Sequence, residues 1–250
     1  MKNLFFYFKT LVVLAVLFIS CDRNSDEETT TPAPAAGVLP KTILETFKSP
    51  SGTSNFTVSF YYDGNKIKEI TSNPNPDIGS AKFTYTGDNI TKIETYVNTA
   101  LSQTWTLEYT NDKLTKALTN GATMQYTYNS DGTVTVDETY SNYGNSTRIY
   151  SLNADNSVKI VTDPYSTAPS TQTRSFDDKK NIFLNITGLN KIVNADRFFK
   201  YLFPGKNNLL SIENNGTVHS TYVYEYNGEG YPKKRTMTAG SRTLIWDISY

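Results

Sequence analysis

From Phe56 onward the chain alternates. Phe56, Val58, Phe60 and Tyr62 share one face of an extended segment, and Phe83 and Tyr85 repeat the arrangement. A period of two marks a strand with one buried face. Each alternating run stops at a polar turn of Gly, Asn and Asp. A β-branched residue or leucine follows, then a strand rich in Lys and Thr. Eight copies of this unit align, centred on Tyr62, Tyr85, Tyr109, Tyr128, Leu152, Phe176, Phe203 and Tyr226. Their spacings are 23, 24, 19, 24, 24, 27 and 23 residues. So steady a period means one supersecondary unit repeated.

The unit reads as a hairpin. Its turns carry Asp-Gly, Gly-Asp, Asn-Asp and Gly-Lys-Asn-Asn, residues that tolerate the positive φ of tight hairpin turns. Thr, Tyr, Ile, Val and Phe around them favour strands. Eight hairpins predict an all-β, up-and-down antiparallel meander of about 14–16 strands, since consecutive strands pair with their neighbours. Unpaired edges invite aggregation and wide sheets curl. The meander is therefore expected to form a large barrel or a strongly curved sheet. A barrel of that width needs flattening or a plug, because wall side chains cannot fill it. One stretch breaks the pattern, at the longest spacing. Residues 194–203, NADRFFKYLF, read either as a short helix capped by Asn194 and stopped by Pro204-Gly205, or as an irregular strand, the reading preferred here.

The first 40 residues belong to a different pattern. Lys2 and Lys9 precede a continuous apolar run, LVVLAVLFI, at 11–19, too short for a stable bilayer-spanning helix. The run ends at Ser20-Cys21. This arrangement resembles the lipobox of bacterial lipoproteins, with Phe18 standing where the box usually has an aliphatic residue. The resemblance implies that residues 1–20 are a cleaved signal peptide and that Cys21 is the acylated (palmitate-bearing) N-terminus. Because Cys21 is the only cysteine in the chain, no disulfide can support the fold. Residues 21–40 would be a lipidated cysteine followed by a disordered tether of acid, Thr and Pro-Ala composition, with 41–250 as the β domain. The acids soon after Cys21 resemble the export signal of some surface lipoproteins of the Bacteroidota. An outer-membrane lipoprotein at the cell surface is expected, with a periplasm-facing location as the alternative.

Charge adds exclusions. The chain has 24 Lys plus Arg against 24 Asp plus Glu, with no basic aromatic motif for nucleic acid. The closing run LIWDISY resembles the last strand of an outer-membrane barrel. However, Lys66, Lys68, Glu69, Lys92, Glu94 and Lys233–Arg235 place charge where a lipid-facing wall needs an apolar band. Membrane contact is expected through the lipid anchor only.

With these features assembled, residues 42–250 resemble an uncharacterised family of Bacteroidota lipoproteins with a porin-like β fold. They also resemble the Tyr-Asp hairpin repeats of Rhs-type surface proteins. The resemblance implies a large antiparallel barrel-like domain, no activity and no functional residues to carry over.

Candidate chemistry is sparse. His219 is the one histidine and has no second His or free Cys for a metal cluster. No Gly-x-Ser-x-Gly elbow accompanies it. The acidic turns at Asn129–Gly132, Asp155-Asn156 and Asp177-Asp178 fall short of a calcium loop and fit hairpin turns. Trp105 and Trp246 could stack on sugar rings but fit sheet packing better. No catalytic, cofactor or metal residue is nominated; Cys21 is the single functional site. The expectation is a non-enzymatic module that binds a glycan or an envelope protein. The alternatives are a structural scaffold with no small ligand, or a hydrolase whose carboxylates converge only in the fold.

Overall fold

The computed structural model describes residues 37–73, 79–141, 144–164 and 168–250. Cys21, the signal segment and tether residues 21–36 lie outside the described residues. The strands, in chain order, are β1 (Thr42–Ser49), β2 (Gly52–Asp63), β3 (Lys66–Asn73), β4 (Ser80–Thr86), β5 (Asn89–Val97), β6 (Ala100–Thr110), β7 (Lys113–Thr119) and β8 (Ala122–Tyr128). They continue with β9 (Thr133–Tyr140), β10 (Gly144–Leu152), β11 (Val158–Asp163), β12 (Ser170–Phe176), β13 (Leu209–Asn214), β14 (Thr217–Tyr226), β15 (Pro232–Ala239) and β16 (Arg242–Ser249). Every strand pairs antiparallel with the next, and β1 pairs with β16 from Thr42↔Ser249 to Lys48↔Thr243. The meander is a closed sixteen-stranded barrel. Closure removes both edges.

The repeat unit builds one rim, termed the first rim, where β1 begins and β16 ends. The strand anchors sit just inside it, and all but Tyr128 stand beside a register slip. Thus Tyr61 faces Glu69 but Tyr62 faces Ile67, leaving Lys68 as an extra residue. The same slip occurs beside Tyr85, Tyr109, Leu152, Phe176 and Tyr226. Strict alternation would put Ile67 and Ile70 on opposite faces. The bulge turns both inward, as it does Ile90 with Ile93 and Leu114 with Ala117, and all six are fully buried. Tyrosine hydroxyls of the anchors and of Tyr250 fasten neighbouring units together. Tyr85 Oη accepts from Ile67 N at 3.2 Å, Tyr109 Oη donates to Ile90 O at 2.9 Å, and Tyr250 Oη to Pro232 O at 2.8 Å.

The longest spacing has a cause. The copies centred on Phe176 and Phe203 are not separate hairpins but the two ends of one connection, residues 177–208, between β12 and β13. That connection folds into the lumen as a plug. Ile182, Phe183, Ile186, Leu189, Ile192, Val193, Phe198, Phe199, Tyr201 and Leu202 are all buried in it. The strand preferred above for 194–203 is therefore wrong. The segment contains a single 3-10 turn, Ala195–Arg197, preceded by another at Leu189–Lys191. It has no strand partner because it lies inside the wall. Asn194 stands at the N-cap in left-handed geometry (φ 59°) without capping through its side chain. A ring of sixteen strands is roughly 30 Å across at about 4.8 Å per strand and ordinary tilt, so the wall alone leaves a void.

The plug touches opposite sides of that ring. Phe183 meets Phe60 at 5.8 Å, Phe198 meets Trp105 edge-on at 5.0 Å, and Tyr201 meets Trp246 at 5.7 Å. Thr187 N donates to Asn65 O at 2.9 Å. Gly188 passes so close to β4–β5 that a Cβ would lie 2.3 Å from Asp88 O, at a φ of 77°. Both ends of the plug are held at Asp177, which accepts from Asn208 N at 2.8 Å and from the Tyr226 hydroxyl. Residues 37–40, which the sequence assigns to the tether, lie along the first rim. Tyr62 Oη donates to Pro40 O and Asn185 Nδ2 to Val38 O, both at 2.9 Å.

The outer wall carries rows of charged and polar residues, with Leu44, Leu101, Leu210, Val218 and Val223 exposed among the strands. One row across it reads Tyr61, Glu69, Lys82, Glu94, Thr104. A second reads Glu108, Lys116, Gln125, Asp137, Thr147. A third reads Glu225, Lys234, Asp247, Leu44, Thr57. Opposite charges alternate across neighbouring strands, a favourable pairing in water. Among the described residues these three rows do not form the continuous apolar band of a lipid-spanning barrel.

Candidate functional site

The acidic turns are explained by local geometry. Asp131 Oδ1 accepts from Thr133 N (2.9 Å) and Oγ1 (2.7 Å), and Asp155 Oδ1 does the same for Ser157 at 3.2 and 2.7 Å. His219 is exposed on β14. Trp105 and Trp246 are both buried in the lumen wall. Among the described residues no three His, Cys, Asp or Glu side chains gather closely enough to hold a metal.

Two recesses open at the first rim. One of about 650 Å³ is lined by Val38, Leu39, Tyr62, Asn227 and Tyr250. The other, about 370 Å³, is lined by Asp112, Lys113, Tyr128, Asn129, Asn153 and Lys191. Their polar groups are largely committed. Asp112 is held by Lys191 at 3.2 Å and Asn89 at 3.3 Å, Asn129 donates to Thr133 and Thr135, and Asn153 donates to Ser157.

Elsewhere the lumen carries charge. Of six arginines in the chain, Arg148, Arg174, Arg197 and Arg235 reach into it, whereas Lys82, Lys92, Lys116 and Lys234 stay on the outer wall. Arginine suits enclosed sites because its guanidinium is weakly hydrated and offers a planar fork of donors. Glu138 on β9 continues the inward series Val134, Val136 and is 1% exposed. Its Oε1 accepts from Arg148 Nη1 at 2.6 Å, and its Oε2 from Arg197 Nη2 at 2.8 Å and Tyr140 Oη at 2.5 Å. Arg148 comes from the wall and Arg197 from the plug, so this carboxylate locks the two together. Burial lowers the Arg148 pKa, but Glu138 together with Tyr150 and Tyr140 more than offsets it and the net shift is upward. Asp196, on the same turn of the plug, is pushed up by burial, partly countered by Arg174.

A second cluster surrounds Trp246. Glu45 is 3% exposed and accepts from Trp246 Nε1 at 2.8 Å; Lys200 Nζ stands 3.9 Å from its other oxygen. On the other flank, the Arg235 guanidinium lies 3.1 Å from the Trp246 ring centre, with Tyr222 and Phe203 at 5.6 and 5.7 Å. Burial lowers its pKa, with Tyr224 the largest opposing influence.

Of these residues the sequence singles out Trp246, as a stacking candidate, and counts Arg235 among the charges of the outer wall; the β14–β15 bulge turns Arg235 inward instead, where it is buried. A signal was available for two of them: Glu45 lies between Ile43 and Phe47, and Glu138 between Val136 and Tyr140, in inward phases. What the alternation could not show is which charges face one another across the lumen.

No family model matches the chain, and no curated protein matches it. Its fold is similar to a porin-like protein from Bacteroides uniformis, with 11% identity and a TM-score of 0.51 over 84% of this chain and 98% of that one. A porin-like protein from Bacteroides vulgatus aligns over the same shares, with 12% identity and a TM-score of 0.44. At such identity the first likeness is one of fold alone.

Proposed function

We propose that this chain is a lipid-anchored protein of the cell envelope, displayed at the surface through Cys21, whose barrel is a non-enzymatic binding module for a glycan or an envelope protein. One observation carries the reading. The barrel has a charged outer wall and a lumen filled by its own plug, so it is a rigid body presented to water and not a conduit through lipid. The porin-like fold of a Bacteroides protein is consistent with an envelope location. A scaffold that binds nothing small is the second reading, favoured by the filled lumen. A hydrolase has less support, since both oxygens of Glu138 are engaged by guanidinium groups.

Protease shaving of intact cells tests the proposal, with lysed cells and a Cys21→Ala strain alongside. Digestion from intact cells only when Cys21 is present supports surface anchoring. Protection until lysis sinks display and turns the search for partners to the periplasm.

A further inference from the structure

The recess of about 650 Å³ at the first rim marks the seam where the barrel closes. Its walls come from residues 37–41 ahead of β1, Tyr62 at the end of β2, the β14–β15 turn and Tyr250 after β16. A short turn leads into β3, β5, β7, β9, β11 and β15, whereas residues 37–41 lead into β1. No hairpin turn therefore covers the slot between Tyr62 and Tyr250.

Both walls of the slot are fixed. Gly37 N donates to Asn65 Oδ1 at 3.2 Å, Asn185 Nδ2 to Val38 O at 2.9 Å, and Lys41 N to Ser249 O at 2.8 Å. On the other side, Asn227 Oδ1 accepts from Glu229 N and from Tyr231 N, both at 3.0 Å. A site whose walls are already ordered binds without the added cost of ordering them.

The chemistry of the recess is of two kinds. Val38, Leu39 and the rings of Tyr62 and Tyr250 are half-buried and apolar. Both tyrosine hydroxyls donate to backbone carbonyls, of Pro40 and Pro232, so the rings offer the recess carbon surface. Lys41 and Glu229, both exposed, supply the polar part. Two other lysines of this rim are paired, Lys66 with Asp88 and Lys191 with Asp112, each at 3.2 Å. Among the described residues Lys41 and Glu229 form no ion pair, with each other or with a third charge. The ammonium can only donate hydrogen bonds and the carboxylate can only accept them. Their charges cancel, so the recess favours neither an anion nor a cation.

From these observations we infer that the seam recess binds a pyranose sugar of a glycan. The C–H face of a sugar ring packs on a tyrosine ring. Sugar hydroxyls both donate and accept, and Glu229 and Lys41 each meet one of those needs. The inference rests on the binding-module reading and deepens it, choosing glycan over protein as the ligand and giving it a site. Its test uses purified protein and is blind to where the protein resides, so failure of display and failure of binding are separable.

The full chain is purified in a detergent without a sugar headgroup. Cellobiose, maltose, lactose and N,N′-diacetylchitobiose are titrated in turn and followed by saturation-transfer NMR, with cyclohexanol as an apolar ring for comparison. The expected result is saturable transfer to the ring C–H protons of at least one disaccharide, with weaker binding of cyclohexanol. Glu229→Ala and Lys41→Ala, exposed changes that leave the fold intact, each weaken it severalfold and together by about tenfold or more. Tyr250→Leu, with its fold checked by far-UV dichroism, weakens it by about tenfold. If none of the four disaccharides saturates, the inference is overturned. It is equally overturned if cyclohexanol binds as tightly as the best disaccharide, since the recess is then an apolar site. Undiminished binding in the variant carrying both Glu229→Ala and Lys41→Ala overturns it too, since the sugar then sits elsewhere.

Discussion

The two halves of the lumen solve the same problem by opposite means. In one, paired aliphatic residues such as Ile67 and Ile70 meet the aromatic and aliphatic side chains of the plug through apolar packing. In the other, the wall and plug meet through charge: Glu138 with Arg148 and Arg197, and Glu45 with Lys200 and Trp246. Apolar packing tolerates imperfect complementarity at modest cost, whereas a buried charge tolerates the loss of its partner poorly. The first half therefore supplies stability. The second fixes how the plug sits and keeps polar chemistry inside an otherwise apolar body.

The comparison can be broken at its strongest points first. Phe183→Ala empties the apolar half and is expected to cost about 3–5 kcal/mol in denaturant unfolding. Glu138→Ala is expected to cost a similar amount, about 3–5 kcal/mol, by stranding two guanidinium groups. The two should diverge in combination. Adding Arg148→Met and Arg197→Met ought to recover much of the Glu138→Ala loss, and a triple variant no more stable than the single one would show that Glu138 acts by packing. Gly188→Ala forces a side chain against Asp88 O at positive φ, for about 1–3 kcal/mol. Faster proteolysis within 177–208 should accompany it.

Titration sharpens the contrast. Burial raises the Tyr62, Tyr85 and Tyr109 hydroxyls well above their ordinary value of 10.0. A raised folded pKa contributes stability that is complete below the unfolded value and lost as pH climbs above it. Phenolate absorbance of these anchors should thus appear only together with alkaline unfolding; its appearance in a barrel with intact far-UV dichroism would refute the ladder. Asp196 is raised from 3.8, so its contribution is complete below that pH and lost as pH rises through the folded value. Asp196→Asn should be more stable than the native chain at neutral pH and lose that advantage in acid. The smallest effect belongs outside the lumen, where Lys116→Ala should change unfolding free energy by no more than about 0.5 kcal/mol.

How much of this was readable follows from what kind of information alternation carries. Period two encodes which face of a strand is buried, so Val58, Phe60 and Tyr62 disclosed a wall, and turn residues at steady spacing disclosed hairpins in series. The number of strands followed. Even an inward charge such as Glu138 was visible as a misfit in its phase. Three features were not readable. The bulges that bring Ile67 and Ile70 onto one face depend on a neighbouring strand's register. The plug has no period, because its residues are buried on all sides by the wall and not on one face by a partner, and its ends imitate the repeat at Phe176 and Phe203. The meeting of Arg197 with Glu138, 59 positions apart, exists only once the ring has closed. The sequence by itself determined the antiparallel meander, since each hairpin is a local matter of turn chemistry and alternation. Only the tertiary structure decided that the meander closes, that one connection fills it and that arginines collect within, because these depend on contacts between segments far apart in the chain.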